Sequence, residues 1–319
     1  MLEGQFSNDC RGFARHYAML PADAPMGYRP DPKSETLLEG VFEGFRHTEI
    51  GPNQKIAVVT MTKGPTSRGE AVSVKATLSG AGLPVYFLPW DARGAAVEMT
   101  IPSRNPDLPE KTHPRFFFTA VLSGCAVFFR GNPQYPTIYH CGTAGTTGGG
   151  APTQGESNAF FDRLLKTARY LGVGAKPSGR GKMVQSSDYM VSKTAGASPE
   201  LQELTDEALD KLRRHYAGRV LVESATTWGM VFGVRDERDW TFYLQRNCTI
   251  VHKTWEDIER AVQVRKKIWG GLRTKTTTHK YITRGLSDAK AKAMPLSLTQ
   301  VFPGGGQTMK MTNSLSYRL

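Results

Sequence analysis

Cys125 and His140 are the residues of this chain whose types and spacing could do covalent chemistry. They fall in RFFFTAVLSGCAVFFRGNPQYPTIYHCG, residues 115–142, where two short apolar runs flank a polar connection. If both runs are strands, a thiol and an imidazole can meet on one face of a sheet. A free thiol ionises near 8.5, and the thiolate is the nucleophile. A neighbouring imidazole can take the thiol proton and later return it to a departing amine. The reaction that suits this pair is attack on a carboxamide or ester carbonyl, followed by hydrolysis of a thioester. Ser123 and Gly124 precede the cysteine. A glycine there permits a sharp turn, and amide N–H groups at or beside Cys125 could receive the developing oxyanion. A cysteine in an apolar run also serves as a small core residue, and a histidine at a strand end as a structural one. Spacing alone leaves both readings open.

The elements that must position the pair are β-rich. IAVVTM (56–61), EAVSVKATL (70–78), LPVYFL (83–88) and AAVEMTI (95–101) are runs separated by Gly, Pro and Ser, and FFFTAVL and AVFF continue the series around Cys125. Apolar spacing at i, i+3 and i+4 predicts a helix over 157–172, and a Ser cap followed by Pro predicts a second over 198–218. The segment between them, GAKPSGRGKMVQSSD, reads as a loop. Strands return at 219–224, 228–236 and 239–247, with a polar hairpin turn between Arg235 and Asp239. A Thr-x-x-Asp start and a Gly-Gly stop predict a third helix over 254–271. Residues 1–50, punctuated by Pro and Gly, are expected to form an arm that wraps the domain rather than joining its sheet. Residues 51–283 are expected to form the catalytic domain, and 284–319 a basic, partly flexible tail. Strands, then helices, then strands indicate an α+β fold, with antiparallel-rich sheets and helices outside.

Composition narrows the classes further. The chain has 319 residues and enough apolar side chains for a substantial core. Its four cysteines show no CxxC spacing, so neither a zinc site nor a disulfide framework is expected. No cofactor is called for: TAGTTGGG (143–150) is glycine-rich but lacks the Lys and spacing of a phosphate loop. No stretch approaches a membrane span and no cleavable signal is visible, so synthesis as a soluble protein is expected. Net charge is +12. Residues 253–319 hold 13 Lys/Arg against 4 Asp/Glu, which is +9, leaving +3 for the first 252. That asymmetry suggests an acidic docking surface for 253–319, on a protein, nucleic acid or anionic lipid, beside the plain reading of a solvated basic helix and tail. Nucleic acid is the less favoured partner, because no helix-turn-helix, zinc signature or aromatic RNA-binding motif is present.

LSGC (122–125) followed by a histidine resembles the signature of the cytotoxic necrotizing factor group of bacterial glutamine deamidases. That group includes the Burkholderia lethal factor and, more distantly, the chemotaxis deamidase CheD. In the necrotizing factors the Ser-Gly-Cys cysteine is the nucleophile and a histidine fifteen positions on is its partner. Here His140 stands fifteen positions after Cys125. In the lethal factor a threonine six positions before the cysteine joins the catalytic constellation, and Thr119 occupies that position. The match covers about 30 residues closely.

The resemblance implies a central sandwich of mixed, largely antiparallel β-sheets flanked by helices. It implies hydrolysis of one glutamine side chain to glutamate in a host protein, such as a Rho-family GTPase or a translation-initiation helicase. In that reading Cys125 is the nucleophile and His140 the general base and acid. Thr119 orients His140 by its carbonyl or hydroxyl, and Ser123 and Gly124 shape the turn. The chain would be made in the bacterial cytoplasm and delivered to the host-cell cytoplasm as an effector or toxin. Two alternatives stand beside it. A transglutaminase or cysteine protease could use the same dyad, although papain-like enzymes place the cysteine at a helix N-terminus and the histidine many tens of residues later. A non-enzymatic basic module binding nucleic acid or protein would need no dyad at all.

Overall fold

The computed structural model describes residues 1–29, 35–37, 46–90, 95–103, 107, 109, 111–142, 183–184, 186–191, 198–268, 270–271, 273–303 and 308–310. The fold is α+β, with two mixed, largely antiparallel sheets and helices flanking them. The expected helix over 157–172 and the glycine-rich 143–150 lie outside the described residues.

The larger sheet has ten strands. Its central path runs through β4 (Ile56–Thr66), β6 (Leu83–Leu88), β8 (Phe116–Thr119), β12 (Val220–Asp236), β13 (Asp239–Ile268) and β15 (Lys290–Phe302). The smaller sheet has six strands in the order β11 (Met183–Val184), β9 (Ala126–Arg130), β10 (Thr137–Cys141), β7 (Ala95–Thr100), β3 (Arg46–Glu49) and β2 (Glu35–Leu37). Most neighbours are antiparallel; β6 and β8 are parallel, as are β3 and β7.

Period-two alternation decides what each sheet face buries. In β8, Phe116 and Phe118 point one way and Phe117 the other. The first pair packs with Phe6 and Phe13 from the N-terminal helices α1 (Leu2–Asn8) and α2 (Cys10–His16). Phe117, with Tyr86, Leu88, Val231 and Phe242 of the same sheet, meets Val97, Val127, Phe129 and Ile138 of the smaller one. That second cluster is the core between the sheets, and the dyad strands line it. Phe242 joins the two layers, with ring centroids 5.2 Å from Phe117 and 5.0 Å from Phe129.

Four expectations need correction. Residues 1–50 are not a wrapping arm only. β1 (Met19–Pro21) pairs in parallel with β5 (Gly69–Thr77), β2 and β3 extend the smaller sheet, and Phe6 is fully buried. The segment 254–271 is not a helix: Trp255–Ile268 continue β13 and pair residue by residue with β14 (Arg273–Leu286). The partner is rich in Thr and other β-formers, and it supplies hydrogen bonds that an isolated helix would have had to make internally. The stretch after residue 284 holds β15, which pairs with β13 and buries Met294, Leu296 and Leu298. The loop expected between the two helices contains β11 and one turn of helix, α3 (Ser186–Tyr189). The other helix forms as expected: α4 (Pro199–His215) has Ser198 accepting from the Leu201 amide, and it packs Leu201, Leu204, Ala208 and Leu212 on Cys248, Ile250, Met294 and Leu296. The β12–β13 hairpin closes across Asp236 and Asp239, within the expected turn.

Candidate active site

The chain changes sheets immediately before Cys125. β8 ends at Thr119 in the larger sheet, and Leu122 then bridges Gly229 on β12 through two backbone hydrogen bonds. Ser123 and Gly124 turn, and Cys125 leads into β9 of the smaller sheet. Gly124 has φ +126°, a conformation that side-chain-bearing residues rarely adopt, so the turn depends on glycine. Ser123 is exposed, Gly124 partly so, and Cys125 is 7% exposed.

Strand register places Cys125 and His140 on one sheet face, with no hydrogen bond between the thiol and the ring. His140 lies opposite Val127 on β9 and opposite Val97 on β7. Directly opposed residues share a sheet face, and so do residues two apart on a strand. Cys125, two before Val127, is therefore the diagonal neighbour of His140, and the thiol packs in the same inter-sheet core as Val127 and Val97. Diagonal neighbours stand about 7 to 8 Å apart at the backbone, a gap that long or aromatic side chains can close. Cys141 alternates to the other face, opposite Ala126 and Ala96. All four cysteines are free thiols.

The site is dry. His140 is 0% exposed, and neither ring nitrogen has a hydrogen-bond partner among the described residues. Burial pushes its pKa down to about 4, while the backbone carbonyls of Leu88 and Pro89 favour the cation without reaching hydrogen-bonding geometry. Burial also pushes the Cys125 thiol up to about 12; the Ser123 backbone partly offsets this, and Asp23 adds to it. In the resting protein the pair is thus a neutral thiol and a neutral imidazole. Unpartnered buried nitrogens are costly, and such groups are often kept for chemistry.

Thr119 is placed differently from the expectation in one respect. Its side chain faces the inter-sheet space, but its hydroxyl is committed to the β12 backbone, accepting from Val231 N–H at 3.1 Å and donating to Val231 C=O at 3.3 Å. The backbone groups that act on the His140 ring belong to Leu88 and Pro89, at the end of the strand paired with β8. Ser123 and Gly124 do shape the turn. His113 lies beside Arg235, which bonds its carbonyl, and among the described residues no cluster of three or more His, Cys, Asp or Glu could hold a metal.

Tyr189 was not anticipated from the sequence. Its hydroxyl accepts from Gly124 N–H at 3.0 Å and donates to Cys125 C=O at 2.5 Å, so one buried side chain clamps the turn that carries the thiol. Its ring sits over Gly229, where an added Cβ would come within 3.0 Å of the tyrosine. A four-residue helix has no apolar period to read, and a lone tyrosine carries no motif. The Gly124 amide is consequently occupied and is not a ready oxyanion donor. The Tyr189→Phe variant leaves a buried N–H and a buried carbonyl unpaired, and its unfolding free energy is expected to fall by about 1 to 3 kcal/mol in a urea titration. An unchanged midpoint would contradict the clamp.

A pH dependence follows from His140. Its imidazole titrates near 4 in the folded chain and near its ordinary 6.5 when unfolded, so the unfolded chain takes up the proton first as pH falls. The stability associated with the neutral ring is complete above about pH 6.5 and is lost as pH falls toward 4. The full shift corresponds to roughly 3 kcal/mol. Unfolding measured at pH 7 and pH 4 should show His140→Gln losing less stability over this interval than the wild type. Parallel curves would remove His140 as the titrating group.

No family model matches the chain, and no curated protein shows significant similarity to it.

Proposed function

We propose that the chain is a protein-glutamine deamidase, a bacterial effector or toxin that converts one glutamine of a host protein to glutamate. The observation that carries this reading is the shared, buried sheet face of Cys125 and His140, reached through a Ser-Gly-Cys turn. The likeness of that turn, the fifteen-residue spacing and Thr119 to the necrotizing-factor deamidases supports it from the sequence side.

The chemistry runs in two halves. A glutamine side chain approaches from the exposed Ser123 side of the turn. His140 accepts the thiol proton as the sulfur attacks the carboxamide carbon, and the new C–S bond makes a tetrahedral oxyanion. The C–N bond breaks, His140 returns the proton to the nitrogen, and ammonia leaves. Water then attacks the thioester with His140 as base, and glutamate and the free thiol are restored. His140 is neutral at physiological pH and ready to accept a proton. The high thiol pKa means that proton transfer accompanies attack, because no preformed thiolate is stored. Thr119 acts as a positioning residue: by tying β8 to Val231 it holds the crossing segment from which the Cys125 turn departs.

An assay of ammonia release tests the reading. The full chain, incubated with dialysed host-cell lysate, is expected to liberate ammonia, and the Cys125→Ala variant is not. Equal release by both proteins would sink it.

A further inference from the structure

β13 and β14 continue past the body of the larger sheet as a two-stranded ribbon, Trp255–Ile268 paired with Arg273–Leu286. Pairing of β13 with β12 and β15 stops at Thr254 and His252, and β14 pairs with β13 alone. Side chains on both faces are exposed from Trp255 to Lys267 and from Thr274 to Ile282. A bare two-stranded hairpin is marginal in water. Among the described residues eleven large hydrophobic side chains are exposed, and seven of them lie on this ribbon, including Ile258, Val262, Val264 and Tyr281. Apolar surface concentrated in this way marks an interaction site.

Charge along the ribbon says which kind. Its base holds the carboxylates, each with a cation: Glu256 with Lys290 at 3.5 Å, Asp257 with Arg284 at 3.9 Å, and Glu259 with Lys280 at 2.7 Å. From Arg260 to Arg284 there are eight Lys/Arg and no Asp/Glu. Five of these eight lie within residues 265–275, at the far end. Register puts Lys266 and Lys275 opposite each other on one face, while Arg265 and Lys267 fall on the other. Cations therefore stand on both faces at one level.

We propose that the end of this ribbon docks end-on to an anionic lipid surface, in addition to and independently of the deamidase reading. A plane met end-on engages cations on both faces at once. A nucleic-acid groove would draw on cations along the whole ribbon, but the base carries carboxylates. An acidic protein patch laid on one face would leave the other cations unused.

The test uses the full chain and vesicle sedimentation. Vesicles of phosphatidylcholine alone are compared with vesicles containing about 30% phosphatidylserine, for which each Lys or Arg near the surface contributes about a fivefold gain in binding. The wild type is expected to sediment with the anionic vesicles only, and to be released as salt rises toward about 1 M. The variant Lys266→Glu, Lys267→Glu, Lys275→Glu should bind on the order of 100-fold more weakly. A control with the same charge change on the body, Lys75→Glu, Arg213→Glu, Arg238→Glu, should stay within about tenfold of the wild type. Its circular dichroism and that of the tip variant should match the wild type, since all six residues lie on the surface. The proposal is overturned if the wild type does not bind anionic vesicles, or if the body and tip variants weaken binding equally. Stronger tip-dependent binding to duplex DNA or to polyglutamate than to anionic vesicles overturns it as well.

Discussion

Phe242→Ala is expected to lower the unfolding free energy by about 3 to 5 kcal/mol, among the largest effects any single core substitution should have in this chain. Phe242 is fully buried and touches both sheets. Its ring lies 5.2 Å from Phe117 in the larger sheet, 5.0 Å from Phe129 in the smaller one and 5.7 Å from Trp240 on its own strand. Truncation removes the transfer free energy of a phenyl ring and leaves a cavity that two hydrogen-bonded sheets cannot readily collapse. A domain's whole stability is about 5 to 15 kcal/mol, so the variant should sit near the edge of folding at 37 °C. The cavity opens beneath Phe129, which shares a strand face with Cys125, so loosening should reach the dyad. Urea titration measures the effect. A loss below about 1 kcal/mol would mean that the two sheets do not share one core.

The larger effect concerns chemistry. Under the proposed mechanism Cys125→Ala removes the sulfur that forms the thioester, and His140→Ala removes the base that accepts its proton. Each is expected to reduce deamidation by at least about 10,000-fold, and the double variant should be scarcely worse than either single one, because the two residues act as a unit. The pH profile carries a second signature. Activity should rise as pH passes through about 4, where the His140 imidazole becomes neutral, and should then stay level through the neutral range, because the thiol does not ionise until about 12. A preformed thiolate–imidazolium pair would instead lose activity as the histidine deprotonates. A fall between pH 6 and pH 8 would therefore contradict the neutral-pair mechanism.

What was legible in the sequence follows the strength of local signals. The alternating apolar runs locate β4 through β7 to within a few residues, and β6 falls on Leu83–Leu88 as read. Ser198, Pro199 and the acidic first turn announce α4, whose apolar face finds the larger sheet. Residues 254–271 mislead because Thr254 and the double glycine imitate helix caps. What fixes their conformation is a partner strand some twenty residues later, which no local rule reports. The N-terminal arm misleads in the opposite sense, since β1 and β3 join the sheets by parallel pairing with the distant strands β5 and β7. At the candidate site, the turn was readable from Gly124, and the shared sheet face of Cys125 and His140 from the two apolar runs around them. Tyr189 was not, because its role comes from the fold setting it on Gly229 and against the turn. Thr119 was readable as a position, but its hydroxyl partner, Val231, lies 112 residues away.

Peptide mass mapping tests the central claim most directly. Host-cell lysate is incubated in parallel with the full chain, with Cys125→Ala and with His140→Ala, and every glutamine is inspected for the gain of about 1 Da that accompanies hydrolysis to glutamate. The expected result is conversion at one or a few glutamines by the wild type alone. No glutamine converted in a Cys125-dependent way would contradict the assignment of this pair as a deamidase centre.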